Sequence, residues 1–374
     1  MTQYIWRRSN WTKFTWDEKT LLPILSQIKL QQGRLIQKLS TLLEEDIVQS
    51  RAIILEQETL HTGAIEGERY NPESIRSSIH KRLHLETAGL PHSTREIDGL
   101  LDIIIDATSH PLHPLTLQKL YAWHASLFPS GYSHLQKIRV AKLRNDKNGP
   151  MQVVSGSIGH EKIHFEAPPA ESLPQEIDQF LSWWDKSRDL HNGIIRAGIA
   201  HFYFVTLHPF DDGNGRLARV ITDMALAQED SFPHRYYSMS QAIITNKKAY
   251  YDILEKTQKG NSDLTLWLLW FTKCLLLALN TSDQLLHDIF IKTIFWQKHY
   301  TQVINEHQRK TINKILDIGK TNFIGGLTTR KYLGINHHMS RRTAIREIQD
   351  LVKKGLLIQN PGSGRNINYN LIWP

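Results

Sequence analysis

The chain has 374 residues, about two-fifths of them hydrophobic, which is enough for one large domain or two to three smaller ones around a sizeable core. A single cysteine, Cys274, excludes an intrachain disulfide framework and points to a reducing, cytoplasmic compartment. The net charge of +8 is unevenly placed: residues 309–374 hold 12 Lys and Arg against 3 Asp and Glu, and the remainder is close to neutral. That asymmetry suggests a terminal module made for nucleic acid.

The chain opens on Trp6, Trp11, Phe14 and Trp16, a cluster read as packing for a small helical cap. Leu21, Leu25, Ile28, Leu35 and Leu39 then recur at helical spacing. A second helix runs from about 45 to 63 and leads into Thr62-Gly63-Ala64-Ile65-Glu66-Gly67. Further helices are expected at 71–83, 94–108 and 114–127.

Between Pro150 and Pro168 the helical rhythm breaks. Gln152-Val153-Val154-Ser155 and Lys162-Ile163-His164-Phe165 flank Gly156 and Gly159, which signals a β-hairpin whose edge can pair with an extended peptide. The hairpin contains His160-Glu161-Lys162-Ile163-His164, the H-e-x-x-h pattern of zinc proteases. On a strand the two histidines would lie about 13 Å apart, too far to share a metal.

Helices follow at 173–186 and 193–207, and then the densest stretch of chemistry, His208-Pro209-Phe210-Asp211-Asp212-Gly213-Asn214-Gly215-Arg216-Leu217-Ala218-Arg219. Gly213 and Gly215 let successive backbone N–H groups converge into a nest for phosphate oxygens. The segment 216–227 has no Gly or Pro and reads as a helix whose N-terminus adds partial positive charge at that nest. Arg216 and Arg219, three apart, project from one face. Asp212 supplies a hard oxygen for the Mg²⁺ that accompanies a polyphosphate, and His208 is a candidate general base. The combination points to group transfer from a nucleotide polyphosphate.

More helices are expected at 247–258 and 264–279; the latter, interrupted by Lys273, is too short to span a bilayer, so no membrane partner is expected. In the tail, 327–333 reads as a short helix, a turn follows, and a second helix begins at Ser340, an N-cap. Leu356-Leu357-Ile358 and 367–371 then form a hairpin around Gly362-Ser363-Gly364. Helix, turn, helix, hairpin is a winged-helix pattern, with Arg341, Arg342 and Arg346 on the recognition helix and DNA as the partner it would take.

The stretch from His208 to Arg219 resembles the signature of the Fic (Fido) family, H-x-F-x-[D/E]-G-N-G-R-x-x-R, at every fixed position. The resemblance implies a mainly α fold: a helical domain with a β-hairpin flap, plus the winged helix-turn-helix domain. The organisation then reads as a helical cap 1–45, a catalytic domain 46–280, a helical linker 281–308 and the winged-helix domain 309–374. It implies transfer of AMP from ATP to a Ser, Thr or Tyr hydroxyl of a target protein, with release of pyrophosphate. His208 would take the hydroxyl proton and Asp212 would hold Mg²⁺. Gly213, Asn214 and Gly215 would form the anion hole, with Arg216 on the β-phosphate and Arg219 on the γ-phosphate. Phe210 would anchor the loop in the core.

Tyr250 and Tyr251 fall where relatives line the adenosine pocket, with Gln258 one or two turns on where some carry Asn. Val153, Val154, Ile163 and Phe165 match the flap that holds the target by strand addition. Thr62, Glu66 and Gly67 resemble the family's inhibitory motif, [S/T]-x-x-x-E-[G/N], in the subgroup that carries it before the catalytic core. Glu66 would pair with Arg219 in the place of the γ-phosphate. The family also implies a homodimer. Two alternatives stay open: removal of AMP at the same site, and a DNA-binding regulator that senses nucleotide.

Overall fold

A computed structural model of the protein describes residues 4–155, 162–230, 234–362 and 367–374. It is mainly helical and forms two compact units, one built from residues up to Ile36 and from Arg51–Ser282, the other from Gln37–Ser50 and Asp283–Pro374. The helices in chain order are α1 (Glu18–Leu39), α2 (Glu44–Ile65), α3 (Pro72–Arg82), α4 (Arg95–Ser109) and α5 (Leu117–Leu127). Two hairpins follow, β1 (Tyr132–Ser133) with β2 (Gln136–Lys137), and β3 (Gln152–Ser155) with β4 (Lys162–Glu166). Then come α6 (Leu173–Ser187), α7 (Gly193–Leu207), α8 (Asn214–Glu229), α9 (Met239–Thr245), α10 (Lys247–Gln258) and α11 (Thr265–Leu285).

The helices start where short polar side chains can cap them. Thr94, Thr116, Asn192 and Ser238 each accept from a backbone N–H of the first turn of α4, α5, α7 and α9. α7 is buried along its whole length and packs against α8, so the loop joining them is held at the centre of the unit. α11 is apolar and long enough to cross a bilayer by length and composition, yet it buries Trp267, Leu268, Phe271, Leu275 and Leu279 as a core helix.

The aromatic opening of the chain packs on this unit. Trp11 meets Tyr203 edge-on at 5.0 Å, Phe14 meets it at 5.5 Å, and Tyr4 meets Phe165 of β4 at 5.3 Å. Trp6 Nε1 donates to the Glu166 carbonyl at 2.7 Å, so the N-terminal segment backs the hairpin.

The other unit contains α12 (His287–Lys298), α13 (Glu306–Ile318), α14 (Thr329–Ile335), α15 (Arg341–Lys353) and the antiparallel pair β5 (Leu357–Gln359) and β6 (Tyr369–Leu371). Phe295, Ile312, Ile315, Leu316, Ile348 and Leu351 lie in its core. Residues 281–308, expected as a linker, therefore supply core to this unit through Phe295 of α12. Most of Gly362-Ser363-Gly364 lies outside the described residues, as do Gly156, Gly159, His160 and Glu161.

Candidate active site

His208 ends α7 in a left-handed conformation, φ 48°, and Pro209 cannot extend the helix, so the chain turns sharply here. Arg144, almost fully buried, holds this turn: Nε donates to the His208 carbonyl at 2.8 Å and its backbone N–H donates to the Pro209 carbonyl at 2.9 Å. The His208 Nδ1 lies 3.3 Å from the Val205 carbonyl, which accepts only if Nδ1 carries the proton. Nε2 is then the basic nitrogen. Burial lowers the ring to about 4, so at neutral pH it is uncharged and able to accept a proton.

The rest of the loop is fixed from below. Phe210 is fully buried and stacks on His124 of α5 at 4.3 Å. Asn214 accepts from the Phe210 N–H at 3.0 Å and donates to its carbonyl at 2.8 Å. Its side chain is thus committed to the loop, and only its backbone can serve the anion hole where the sequence placed Asn214. His124 donates from Nε2 to the Asp212 carbonyl at 3.2 Å and accepts from the Ala141 N–H at 3.1 Å.

The Asp212 carboxylate takes the Gly213 N–H at 2.6 Å and the Ser133 hydroxyl, while 43% of its side chain stays exposed. It is a hard oxygen donor beside the start of α8, whose first backbone N–H groups have no partner in the helix. This donor set fits a magnesium ion carried on a polyphosphate.

Arg216 is buried and lies 4.8 Å from the Phe128 ring. Arg219 is buried too; Nε donates to Thr62 Oγ1 at 2.7 Å, and one terminal nitrogen donates to the Thr62 carbonyl at 3.1 Å and to Glu66 Oε1 at 2.7 Å. Its other terminal nitrogen, and Nε of Arg216, are buried without a protein partner among the described residues. Unpaired buried donors of this kind suit the oxygens of an anion. The Glu66 carboxylate lies against Gly215, where an added Cβ would come within 2.2 Å of Oε1, so a side chain there would push the carboxylate aside. Gly67 turns the chain just after α2 at φ 88°, a conformation that favours glycine and leaves Glu66 directly past the helix end.

Comparison with known proteins gives the domain a family. Residues 114–226 match the Fic/DOC family. The chain carries a Fic/DOC family domain. Residues 4–85 match a domain of unknown function, DUF4172. A uridine 5'-monophosphate transferase of Xanthomonas campestris pv. campestris is 30% identical over 125 residues, 30% of this chain and 21% of that protein. The protein adenylyltransferase Fic of Nematostella vectensis is 30% identical over 96 residues, 25% of this chain and 21% of that protein. The chain thus spans about a fifth of the length of these two relatives. The crystal structure of a Fic family protein from Desulfovibrio desulfuricans G20 shares the fold, with a TM-score of 0.57 at 18% identity, covering 94% of this chain and 95% of that one.

The remaining candidates divide. Tyr250 is only 2% exposed, and its hydroxyl lies 2.8 Å from His201 Nε2, so its ring is packed in the core of the unit. Tyr251 is 39% exposed and donates to the Ile65 carbonyl at the end of α2. Gln258 is buried and donates to Thr206.

In the flap, Val154 and Ile163 pair across the hairpin and are exposed. Phe165 is buried against Tyr4, and Val153 packs beside them, so these two hold the flap and do not offer it to a target. His164 sits on β4, not on a helix, between Ser155 and Glu255. Among the described residues, Asp106, His110 and His113 bring ligand atoms within 4.8 Å. The two imidazoles stack within 11° of parallel, so their lone pairs run side by side and do not converge on one ion.

Proposed function

We propose that the protein transfers AMP from ATP to a Ser, Thr or Tyr hydroxyl of another protein in the cytoplasm, and that Glu66 restrains this activity. The observation that carries the reading is the 2.7 Å contact between Glu66 and Arg219, with the carboxylate resting on Gly215. An anion already sits where an anion hole, a helix start and an arginine converge. The names of the relatives support nucleotide transfer as the chemistry, and they include both UMP and AMP.

In this reading His208 Nε2 removes the proton from the target hydroxyl as its oxygen attacks the α-phosphorus. The bond to the β-phosphate oxygen breaks and pyrophosphate leaves. Asp212 would hold Mg²⁺, which supplies charge neutralisation on the phosphates. Arg216 and the start of α8 neutralise the remaining oxygens, and most of the catalysis is positioning and electrostatics. Arg219 takes the γ-phosphate only when Glu66 withdraws. A carboxylate left in place displaces the triphosphate from in-line geometry.

The test is labelling from α-labelled ATP with Mg²⁺. Glu66→Gly should raise incorporation, self-modification included, by about tenfold or more, the scale of one charge-assisted contact. His208→Ala in that background should abolish it. Unchanged labelling in Glu66→Gly removes Glu66 from the mechanism, and labelling that survives His208→Ala removes the base. If Glu66→Gly abolishes release of AMP from a modified protein, the site runs in the opposite direction.

A further inference from the structure

Nucleotide transfer makes no use of the charge on the terminal unit, and that charge is arranged on one face. α15 turns Ala344, Glu347, Ile348 and Leu351 into the core. Arg342, Arg346, Gln349 and Lys353, at i, i+4, i+7 and i+11, run along the opposite face and are all exposed. At ~1.5 Å per residue the stripe is about 16 Å long.

The acids of the same helix lie off this stripe and are engaged by neighbouring side chains. Glu347, 8% exposed, accepts from the Tyr332 hydroxyl at 2.7 Å and from Asn305 Nδ2 at 2.9 Å. Asp350 accepts from Gln308 Nε2 at 2.8 Å and from Lys354 Nζ at 2.5 Å. Both carboxylates are hydrogen-bonded to the scaffold, Asp350 with 40% of its side chain still exposed, and the stripe itself carries only positive and amide groups, with the exposed Ile345 beside it. A merely soluble helix has no need to sort its charges this way, since mixed signs serve solvation as well.

We propose that this face of α15 binds double-stranded DNA in the major groove. Arg342, Arg346 and Gln349 are the side-chain types that read guanine and adenine edges there, and Lys353 reaches a phosphate. A groove about 12 Å wide admits a helix, whereas the deep, narrow major groove of RNA duplexes does not. α14, the turn at 336–340 and α15 supply the helix-turn-helix support, with Ser340 capping α15.

The full chain is titrated into fluorescent duplex DNA of mixed sequence at about 50 and about 200 mM salt, where even non-specific binding is strongly salt-dependent. Arg342→Ala/Arg346→Ala should weaken binding about tenfold or more and lower the salt slope by about 1 to 2. Lys310→Ala/Lys314→Ala removes equal charge from exposed positions of α13 and should change affinity less than about threefold. Circular dichroism melts check that both variants fold. Equal losses in the two variants would reduce the effect to bulk charge and overturn the proposal. Absence of salt-dependent binding by the wild type, or equal affinity for an RNA duplex, overturns it as well. So does a shift in oligomeric state in the arginine variant with DNA binding intact, which would make the face a self-association surface.

Discussion

Three of the side chains that hold the active-site loop lie far from it in sequence. His124 is 88 positions from Asp212, Ser133 is 79 away from it, and Arg144 is 64 from His208. Each makes a hydrogen bond that a substitution leaves unpaired, which costs about 1–3 kcal/mol in a buried site. His124→Leu keeps apolar packing against Phe210 but orphans the Asp212 carbonyl and the Ala141 N–H. Its expected result is a fall in kcat of about tenfold, with a raised magnesium requirement. His124→Gln, which can still donate and accept, should recover most of the loss. Steady-state labelling across magnesium concentrations checks both; equal loss in Leu and Gln variants would mean the ring matters only for packing. The contiguous stretch from His208 to Arg219 was legible because a strand of phosphate chemistry needs no third dimension to be recognised. A lone histidine on α5 carries no such signal, and the adjacency of Tyr250 and Tyr251 says nothing about which of two neighbouring rings a helix buries.

At the scale of elements, α2 acts through one face. Glu58, Thr62 and Glu66 are four apart and therefore aligned. Glu66 and Thr62 hold Arg219, and Glu58, only 4% exposed, accepts from the Ser238 hydroxyl at 2.7 Å, the Ser240 N–H at 3.2 Å and the Ser240 hydroxyl. Glu58 thereby fixes the axial position of α2 against the start of α9, two turns before Glu66. Removing it should loosen that register. Glu58→Ala, with Glu66 untouched, is expected to raise AMP incorporation severalfold, and combining it with Glu66→Gly should add little. A double variant whose effects multiply would show that Glu58 acts elsewhere. The sequence located this helix and its terminal motif, since spacing and a closing glycine are local features. The anchor was not readable, because a buried glutamate on a helix looks like any solvated one until its partners from α9 arrive.

For the molecule as a whole, the uneven charge revealed a separate terminal module, but its boundary was out of reach. Residues 37–50 join that unit at the ends of α1 and α2, where nothing in the helical pattern changes. The larger unit carries a different global property, set by buried imidazoles. Burial holds His124 and His208 at about 4 and His201 at about 3, the last with help from the Arg219 charge. Unfolded histidine titrates near 6.5, so below that pH the unfolded chain takes up protons that the native state refuses. The stabilisation is complete above about pH 6.5 and declines as the pH falls toward the native values. Two buried carboxylates oppose this trend: burial pushes Asp223 up to about 7, even beside Arg235, and Asp230 up to about 6. Their protonation in the native state returns stability as the pH falls. The histidines outnumber them, so urea midpoints should drop between pH 7 and 5, by less than the histidines alone would produce. His201 is the cleanest probe, fully enclosed between Thr222 at 2.9 Å and Tyr250 at 2.8 Å. Replacing it with Gln preserves hydrogen-bonding groups but removes one titration. The difference in unfolding free energy between pH 7 and 5 should shrink by about 2 kcal/mol, one proton over about 1.5 pH units. If that difference is the same in His201→Gln and wild type, the buried imidazole does not control the acid limb.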